Sequence, residues 1–350
     1  MIATTAVQEA RRAYFKQGVL PADQLGHAIL RSWMRCSDMG LDAAAPAAAP
    51  DASAAEMRAL QDRHEALRRL CRPELDALHA EARETGGIVI LTNPEGVVLD
   101  AVGDPGFAGR AAQVALRPGA AWQEGAAGTN AIGTAIAERR PVAVHGAEHF
   151  FDAHRELTCA AAPIVDGRGA VMGVLDMSGH AAVQHLHALG LVKLAVEQIE
   201  HRLFQQAFAG CTVVRFHSDA ALLGAARQGV LVFDDDRLVA ANKRGLSLTG
   251  RSWADLDETR FDDLFDADLT RLEGPAQLVT AAGDRFHAAV DRTGLGASRP
   301  APAALSDAPL RDTELAAMRA ALDACNGNVS AAAKRLGVHR ATLYRRLLSA

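Results

Sequence analysis

The chain has 350 residues, 49% of them hydrophobic and 23% charged, so it can bury more than one core and is expected to fold as two to four domains. Its 5 cysteines are odd in number, scattered and without a C-x-x-C pair, which argues against a disulfide frame or a zinc ribbon and fits a reducing cytoplasm. No charged-then-apolar signal segment opens the chain, and no apolar run approaches the ~18 residues of a membrane span.

An N-terminal helical piece runs into an Ala/Pro stretch from Asp42 to Ala55 that reads as a linker. Met57, Leu60, His64, Leu67 and Cys71 then recur at three- and four-residue steps, as do Leu189, Val192, Val196, Ile199 and Leu203 further on. Each set has the spacing of a helix-pair seam, which a packed monomer and a dimer satisfy equally. Between them, Gly87 to Asp100 reads as strand, Asn-Pro-Glu-Gly turn and strand, and Thr158 to Met177 repeats the form around Asp166-Gly-Arg-Gly. Gly128 to Ile136 is a short helix carrying small residues. Sheet with flanking helices is the pattern of an α+β sensor domain. A second Ala/Pro/Gly linker, Gly294 to Ala304, would let the C-terminal segment pivot.

That C-terminal segment has the layout of a helix-turn-helix. Leu315, Met318 and Leu322 place a helix over Asp312 to Cys325, with Asp312 or Thr313 as its cap, and Asn326-Gly-Asn stops it. Asn328 caps a second helix that buries Val329, Ala332, Ala333 and Leu336 and ends at Gly337. A third begins near His339, buries Leu343 and Leu347, and leaves Arg340, Thr342, Tyr344, Arg345 and Arg346 outward. With Lys334 and Arg335, and no acid after Asp323, a chain of net charge −5 ends in a concentrated positive face. Such a face suits double-stranded DNA, although a solvated helix end or a dimerising three-helix unit shares the pattern.

Gly327-Asn-Val-Ser, Ala332-Ala, Leu336-Gly and Arg340-Ala-Thr-Leu-Tyr-Arg resemble the Fis-type DNA-binding module of bacterial enhancer-binding activators over about forty residues. The resemblance places His339, Arg340, Thr342, Tyr344 and Arg345 against bases and backbone. Arg340 is the expected guanine reader, because a guanidinium donates twice to the O6 and N7 edge, while Lys334 and Arg346 are expected on phosphate. Trp122-Gln-Glu-Gly-Ala-Ala-Gly-Thr-Asn, Gly146-Ala-Glu-His-Phe, Cys159-Ala-Ala-Ala-Pro and Gly173-Val-Leu-Asp-Met-Ser-Gly are similar to the GAF domain of the acetoin-catabolism activator group. Ser32-Trp-Met-Arg-Cys and Gly40-Leu resemble the N-terminal helix of the same proteins. That likeness implies a small-molecule sensor whose site gathers Trp122, Asn130, Thr134, His149, Phe150 and Cys159. Gly229 to Gly245 and Leu248-Thr-Gly resemble the opening of a PAS domain that a hairpin from Gly274 to Val290 would close, as a spacer or a second sensor. The related activators carry an AAA+ ATPase with a G-x-x-x-x-G-K-[ST] loop, and these 350 residues contain no such sequence.

His145, His149, His154 and Cys159 sit at four- and five-residue steps that could suit a transition metal, but they need not share a face, and no metal or other cofactor is expected. Cys159 beside those histidines lacks an orienting third residue, so no catalytic residue is assigned. Gly125, Gly128 and Gly133 do not have dinucleotide spacing and more simply allow close packing. The expected architecture is α+β and multidomain: an N-terminal helical segment and linker (1–55), a GAF-like sensor sheet with flanking helices (56–208), a small PAS-like domain (209–293), a linker (294–309) and a C-terminal all-α helix-turn-helix (310–350). The expected function, by the resemblance, is a cytoplasmic, ligand-responsive, sequence-specific DNA-binding transcriptional regulator without its own ATPase, acting on catabolic genes for small alcohols, aldehydes or ketones. Its partners would be operator DNA, a small-molecule effector, a second copy of the chain as a homodimer, and RNA polymerase or a full-length related regulator; no membrane is involved. A GAF-fold enzyme such as a free methionine sulfoxide reductase, and an architectural DNA binder with a vestigial sensor, are the alternatives.

Overall fold

The computed structural model describes residues 4–21, 23–45, 52–83, 86–103, 116–183, 187–206, 208 and 210–292. The chain divides into one unit over Met1–Gly294 and another over Leu295–Ala350. The second unit, with every residue expected at the DNA interface, lies outside the described residues.

The first unit is mixed helix and sheet, built on two five-stranded antiparallel sheets. Strand β1 (Ile88–Thr92) is buried at all five positions, as expected of a strand covered on both faces. It turns into β2 (Val98–Gly103) where Asn93 Oδ1 accepts from Val97 N–H at 2.8 Å and Gly96 takes φ +79°. After a short helix α5 (Glu124–Ala127) and α6 (Ala131–Glu138) come β3 (Val142–His145), β4 (Leu157–Val165) and β5 (Val171–His180). The β4–β5 turn is fixed by Asp166 Oδ1, which accepts from the N–H groups of Arg168 and Ala170 at 2.9 and 2.8 Å. The strand order is β2-β1-β5-β4-β3. Both hairpins read from the sequence are present; β3, only four residues long, was not legible there.

Side-chain parity divides the coverage of this sheet. Val89, Leu91, Ala160, Ala162, Leu175 and Met177 face two long helices, α4 (Glu65–Ala82) and α7 (Ala188–Gln206). Leu67, Cys71, Val192, Val196 and Ile199, the seams seen in the sequence, are spent on this contact within one chain. The first seam is also not one helix. Ser53 caps α3 (Ala54–Arg63) with a capping box, and His64, at φ −103°, separates it from α4.

The opposite face carries Ile88, Ile90, Val142, Val144, Cys159, Ala161 and Val174, and it packs on the N-terminal helices α1 (Thr4–Gln17) and α2 (His27–Asp38) together with α5 and α6. Helices α1 and α2, part of the stretch 1–55 read from the sequence as a region of its own, therefore share a core with the first sheet. Trp33 is completely buried there, its ring 4.9 Å from Phe15.

The second sheet has the order β8-β7-β6-β10-β9, with β6 (Thr212–His217), β7 (Gly229–Asp234), β8 (Arg237–Ala241), β9 (Gly274–Val279) and β10 (Arg285–Arg292). The closing hairpin expected near Gly274 is present, but the central strand is β6, which precedes the segment that resembles a PAS opening. Helix α8 (Lys243–Thr249) and the turns from Leu256 to Leu269 cover one face. Phe204, from the end of α7, packs with Val213, Val230, Val232 and Ala240 on the other. One helix thus contributes to the cores of both sheets. The tip of the β4–β5 hairpin also meets the second sheet: Ala241 N–H donates to Gly167 O at 2.8 Å, and Arg168 pairs with Asp257. Gly169, at φ +78°, leaves room for the Trp253 ring, which an added Cβ would approach to 2.5 Å. Among the described residues no helix is long and apolar enough to cross a membrane.

Trp33→Ala is expected to remove about 3–5 kcal/mol, a large part of the stability of an ordinary domain. The measurement is the urea midpoint followed by far-ultraviolet circular dichroism, with loss of the first sheet before the second; an unchanged midpoint would refute the shared core.

Candidate ligand-binding face

In β4 and β5, Cys159 lies opposite Ser178 and Ala161 opposite Asp176, so Cys159, Asp176 and Ser178 share the sheet face that looks toward α5, α6 and the 146–154 segment. Asp176 is wholly buried on a strand that is otherwise apolar or small from Val171 to Gly179. Ser178 Oγ donates to Asp176 Oδ2 at 2.6 Å, while Asp176 Oδ1 has no hydrogen-bond partner. Burial pushes the Asp176 carboxyl up to about 7, against the opposing pull of that Ser178 hydrogen bond. Burial, with the nearby Asp176 charge adding to it, likewise holds the Cys159 thiol well above its usual value.

Two imidazoles of the 146–154 segment belong to the same core layer. His154 stacks on the Trp122 indole with centroids 4.9 Å apart, and His149 meets His154 edge to face at 6.3 Å. Burial lowers His149 to about 3, with repulsion from His154 next in size, and lowers His154 to about 4. Both rings are therefore neutral at pH 7, and their hydrogen bonds define the tautomers. His149 Nδ1 lies 3.1 Å from Gly146 O and must carry the proton, leaving Nε2 a bare acceptor without a partner. His154 is bonded to the Ala127 backbone and its Nδ1 is the unpartnered atom, so it too offers a lone pair. Buried polar atoms in folded proteins are normally paired. Three unsatisfied atoms lie on this side of the first sheet, two acceptors and a carboxyl able to donate or accept, and these are the groups that pair with hydroxyl or carbonyl functions.

The segment that carries the histidines is held from the N-terminal helices. Arg11 donates to the carbonyls of His149 and Phe150, both at 2.6 Å, and to Ala147 O at 3.4 Å, and it pairs with Asp152 at 2.9 Å. Trp33 Nε1 donates to Glu148 O at 2.7 Å. A second buried cluster docks α2: Glu124 accepts from Ser32 Oγ at 2.5 Å and from Thr134 Oγ1 at 3.0 Å, and takes both arms of Arg35 at 2.7 and 2.8 Å.

The six side chains that the sequence groups as a ligand site divide between these surroundings. Trp122, His149 and Cys159 belong to the face described above. Phe150 packs edge-on to Phe15 at 5.1 Å and against Gly128, whose φ of +64° and closeness to Phe150 leave no space for a Cβ. Thr134 belongs to the Glu124 cluster. Asn130 has its amide spent on the backbone: Oδ1 accepts from Gly133 N–H at 2.8 Å, and Nδ2 donates to Trp122 O and Gly128 O at 2.9 and 2.7 Å. It caps α6 and holds the turn before it; both amide hydrogens are used and the oxygen is committed to the cap. Asp176 and Ser178 were missed, although a carboxylate inside an apolar strand is a visible signal. His154 was set aside with the metal reading. His145 is exposed on β3, and among the described residues no three His, Cys, Asp or Glu side chains are placed to hold a metal ion.

Residues 3–201 match the family model for the MimR N-terminal domain, and residues 309–348 match that for the bacterial regulatory protein Fis family. The chain is 31% identical over 272 residues to the acetoin catabolism regulatory protein of Cupriavidus necator, covering 74% of this chain and 41% of that protein. It is 32% identical over 192 residues to the acetoin dehydrogenase operon transcriptional activator AcoR of Bacillus subtilis, covering 55% and 32% of the two chains. With the propane 2-monooxygenase operon transcriptional activator MimR of Mycolicibacterium smegmatis it shares 30% identity over 201 residues, covering 57% and 33%. The aligned part thus spans about two-fifths or less of the length of these curated relatives.

The buried face has a pH signature. Between the ordinary carboxyl value near 4 and its native value of about 7, Asp176 keeps its proton in the folded state and releases it on unfolding, so its contribution to stability is lost as pH rises through that window. His149 and His154 act oppositely, costing stability as pH falls below about 6.5, where the unfolded chain binds protons that the native rings refuse. Asp176→Asn removes only the first dependence. The stability of the wild type relative to this variant is expected to increase as pH is lowered from 7 to 4, by at most roughly 1.4 kcal/mol per pH unit. Urea unfolding across that range tests it, and a difference independent of pH would remove the protonated carboxyl from the face.

Proposed function

Because the chain belongs to the family defined by the MimR N-terminal domain, we propose that it is a ligand-responsive, sequence-specific DNA-binding transcriptional regulator. The observation that carries the sensing half is the buried group of unpaired polar atoms, His149 Nε2, His154 Nδ1 and Asp176 Oδ1. Two acceptors and one carboxyl suit a short-chain alcohol, aldehyde or ketone, the class expected by analogy with the family, whose members include an acetoin catabolism regulatory protein and a propane 2-monooxygenase operon activator. Trp122 and Cys159 supply the apolar walls. The DNA-reading half rests on the Fis-family match at 309–348. There Arg340 reads base edges with His339, Thr342, Tyr344 and Arg345 beside it, while Lys334 and Arg346 bind phosphate.

The regulator acts in the cytoplasm without an ATPase of its own, through operator occupancy or recruitment of RNA polymerase or a related full-length regulator. It binds DNA as a homodimer, in keeping with the twofold symmetry of most helix-turn-helix operators. The α4 and α7 seams are occupied inside the chain, so dimer contacts are to be sought elsewhere. An enzyme of the methionine sulfoxide reductase kind would need several cysteines at one pocket. Cys71 lies across the sheet from Cys159, Cys36 on the Cys159 side sits on α2 against Glu124 and Thr129, and no relative described above is named as an enzyme.

On the full chain, a thermal-shift screen of short-chain alcohols, aldehydes and hydroxyketones is expected to find a stabiliser, worth about 2.7 kcal/mol at a hundredfold excess over Kd. His154→Phe is expected to abolish that shift while leaving ligand-free DNA affinity unchanged. If no compound stabilises the wild type, the sensing half of the reading fails.

At the operator, Arg340→Ala is expected to cost about 1–3 kcal/mol and flatten preference at one base position. Lys334→Ala is expected to weaken all sequences alike and to lower the salt slope by roughly one. Equal losses on specific and random DNA for Arg340→Ala would remove it from base reading.

A further inference from the structure

A second cavity lies where the two sheets of the first unit meet, bordered by α7 and by the residues that lead into β3. It is a cleft of about 900 Å³, within the range of small-molecule sites. The first sheet contributes Pro163 and, just before β3, Arg139 and Arg140; α7 contributes Lys193 and Glu200, and the second-sheet domain Arg227, Lys243 and Arg244. Six cationic side chains thus line the cleft against two carboxylates, Glu197 and Glu200, in a chain whose net charge is −5.

The pairing of these cations is incomplete. Lys243 is matched by Glu200 at 3.2 Å, Arg140 lies 3.7 Å from Glu138, and Arg139 donates to Gly169 O. Lys193, Arg227 and Arg244 have no ion-pair partner among the described residues, although they come from three separate elements and converge on one concavity. The three side chains are solvent-exposed where they line the cleft, so water and salt only partly screen their mutual repulsion, and an anion bound between them relieves it further. Guanidinium groups also present paired donors that match the oxygens of a carboxylate or phosphate. A singly charged ion would leave most of this excess in place.

We propose that this cleft binds a small, multiply charged oxyanion, a phosphorylated or polycarboxylate metabolite, as a second effector distinct from the neutral ligand of the buried face. Lys193, Arg227 and Arg244 are its principal contacts. Since Lys193 stands on the helix that packs on the first sheet and the two arginines stand on the second-sheet domain, the bound anion ties the two together across the cleft.

The test is calorimetric titration of the full chain with inorganic pyrophosphate, citrate and acetate at ionic strength matched with sodium chloride. Saturable 1:1 binding of pyrophosphate or citrate, with acetate at least tenfold weaker, is expected, and the preferred anion assigns phosphate or carboxylate as the natural group. The triple variant Lys193→Gln/Arg227→Gln/Arg244→Gln is expected to lose at least tenfold in affinity while keeping the wild-type circular dichroism spectrum. Arg72→Gln, an exposed cation on α4, is the control that should bind as the wild type does. Heats indistinguishable from the chloride control, or a triple variant that binds pyrophosphate and citrate unchanged, would overturn the proposal. So would a triple variant that keeps anion binding but loses affinity for random duplex DNA, since the cleft would then be a DNA-backbone surface. Failure of the neutral-ligand screen would leave this result standing, because the two sites share no residue.

Discussion

The first unit depends on a run of four consecutive carbonyls, those of residues 147 to 150, all of which accept hydrogen bonds from the N-terminal helices. A backbone segment without sheet or long-helix partners must satisfy its polar groups some other way, and here Arg11 and Trp33 do so. Charge-assisted donation from a guanidinium that is 7% exposed is stronger than a neutral hydrogen bond and is little screened by salt. The consequence is positional. The turns that carry His149 and His154 are gripped from behind, which makes the N-terminal helices part of the proposed binding face rather than an appendage to it.

This arrangement also gives a signal a route. A ligand that occupies the buried acceptors bears on the 146–154 segment, and through it on α1 and α2; a ligand in the cationic cleft bears on α7 and the second-sheet domain. The two effects meet in the first sheet. Coupling between them would require a sheet or helix with two discrete arrangements that both ligands bias, and α7, packed into both cores, is the element placed to have them.

How much of the structure was legible in the sequence depended on the range of the interactions involved. The hairpins at 88–103 and 157–180 were readable because their turns are made by local chemistry, Asn93 with Gly96 and Asp166 with Gly169. The helix-turn-helix was readable for the same reason, since caps, turn glycine and basic face all fall within about forty residues, and the Fis-family match over 309–348 agrees. Periodicity located α4 and α7 but could not say what they pack against, because a seam and a sheet-facing stripe have one spacing. The docking of Arg11, 138 positions from His149, left no local trace. Asn130 illustrates the converse: a short polar residue beside a supposed pocket drew a ligand role, whereas three backbone bonds consume it. Asp176 was readable in principle, because strand parity alone sets it on the same face as Cys159.

The sharing of α7 also bears on where this chain can be cut. The family match ends at residue 201, yet the helix continues to Gln206, and Phe204 lies under the second sheet while an added Cβ at Gly167 would come within 3.3 Å of its ring. A fragment trimmed to the limits of that family match would lose Phe204 and strip a partner from the 166–169 hairpin tip, leaving Gly167 and neighbouring apolar surface in water. Self-association of such a fragment would then report the cut, and the smallest faithful version of the sensor would run to the end of the second sheet.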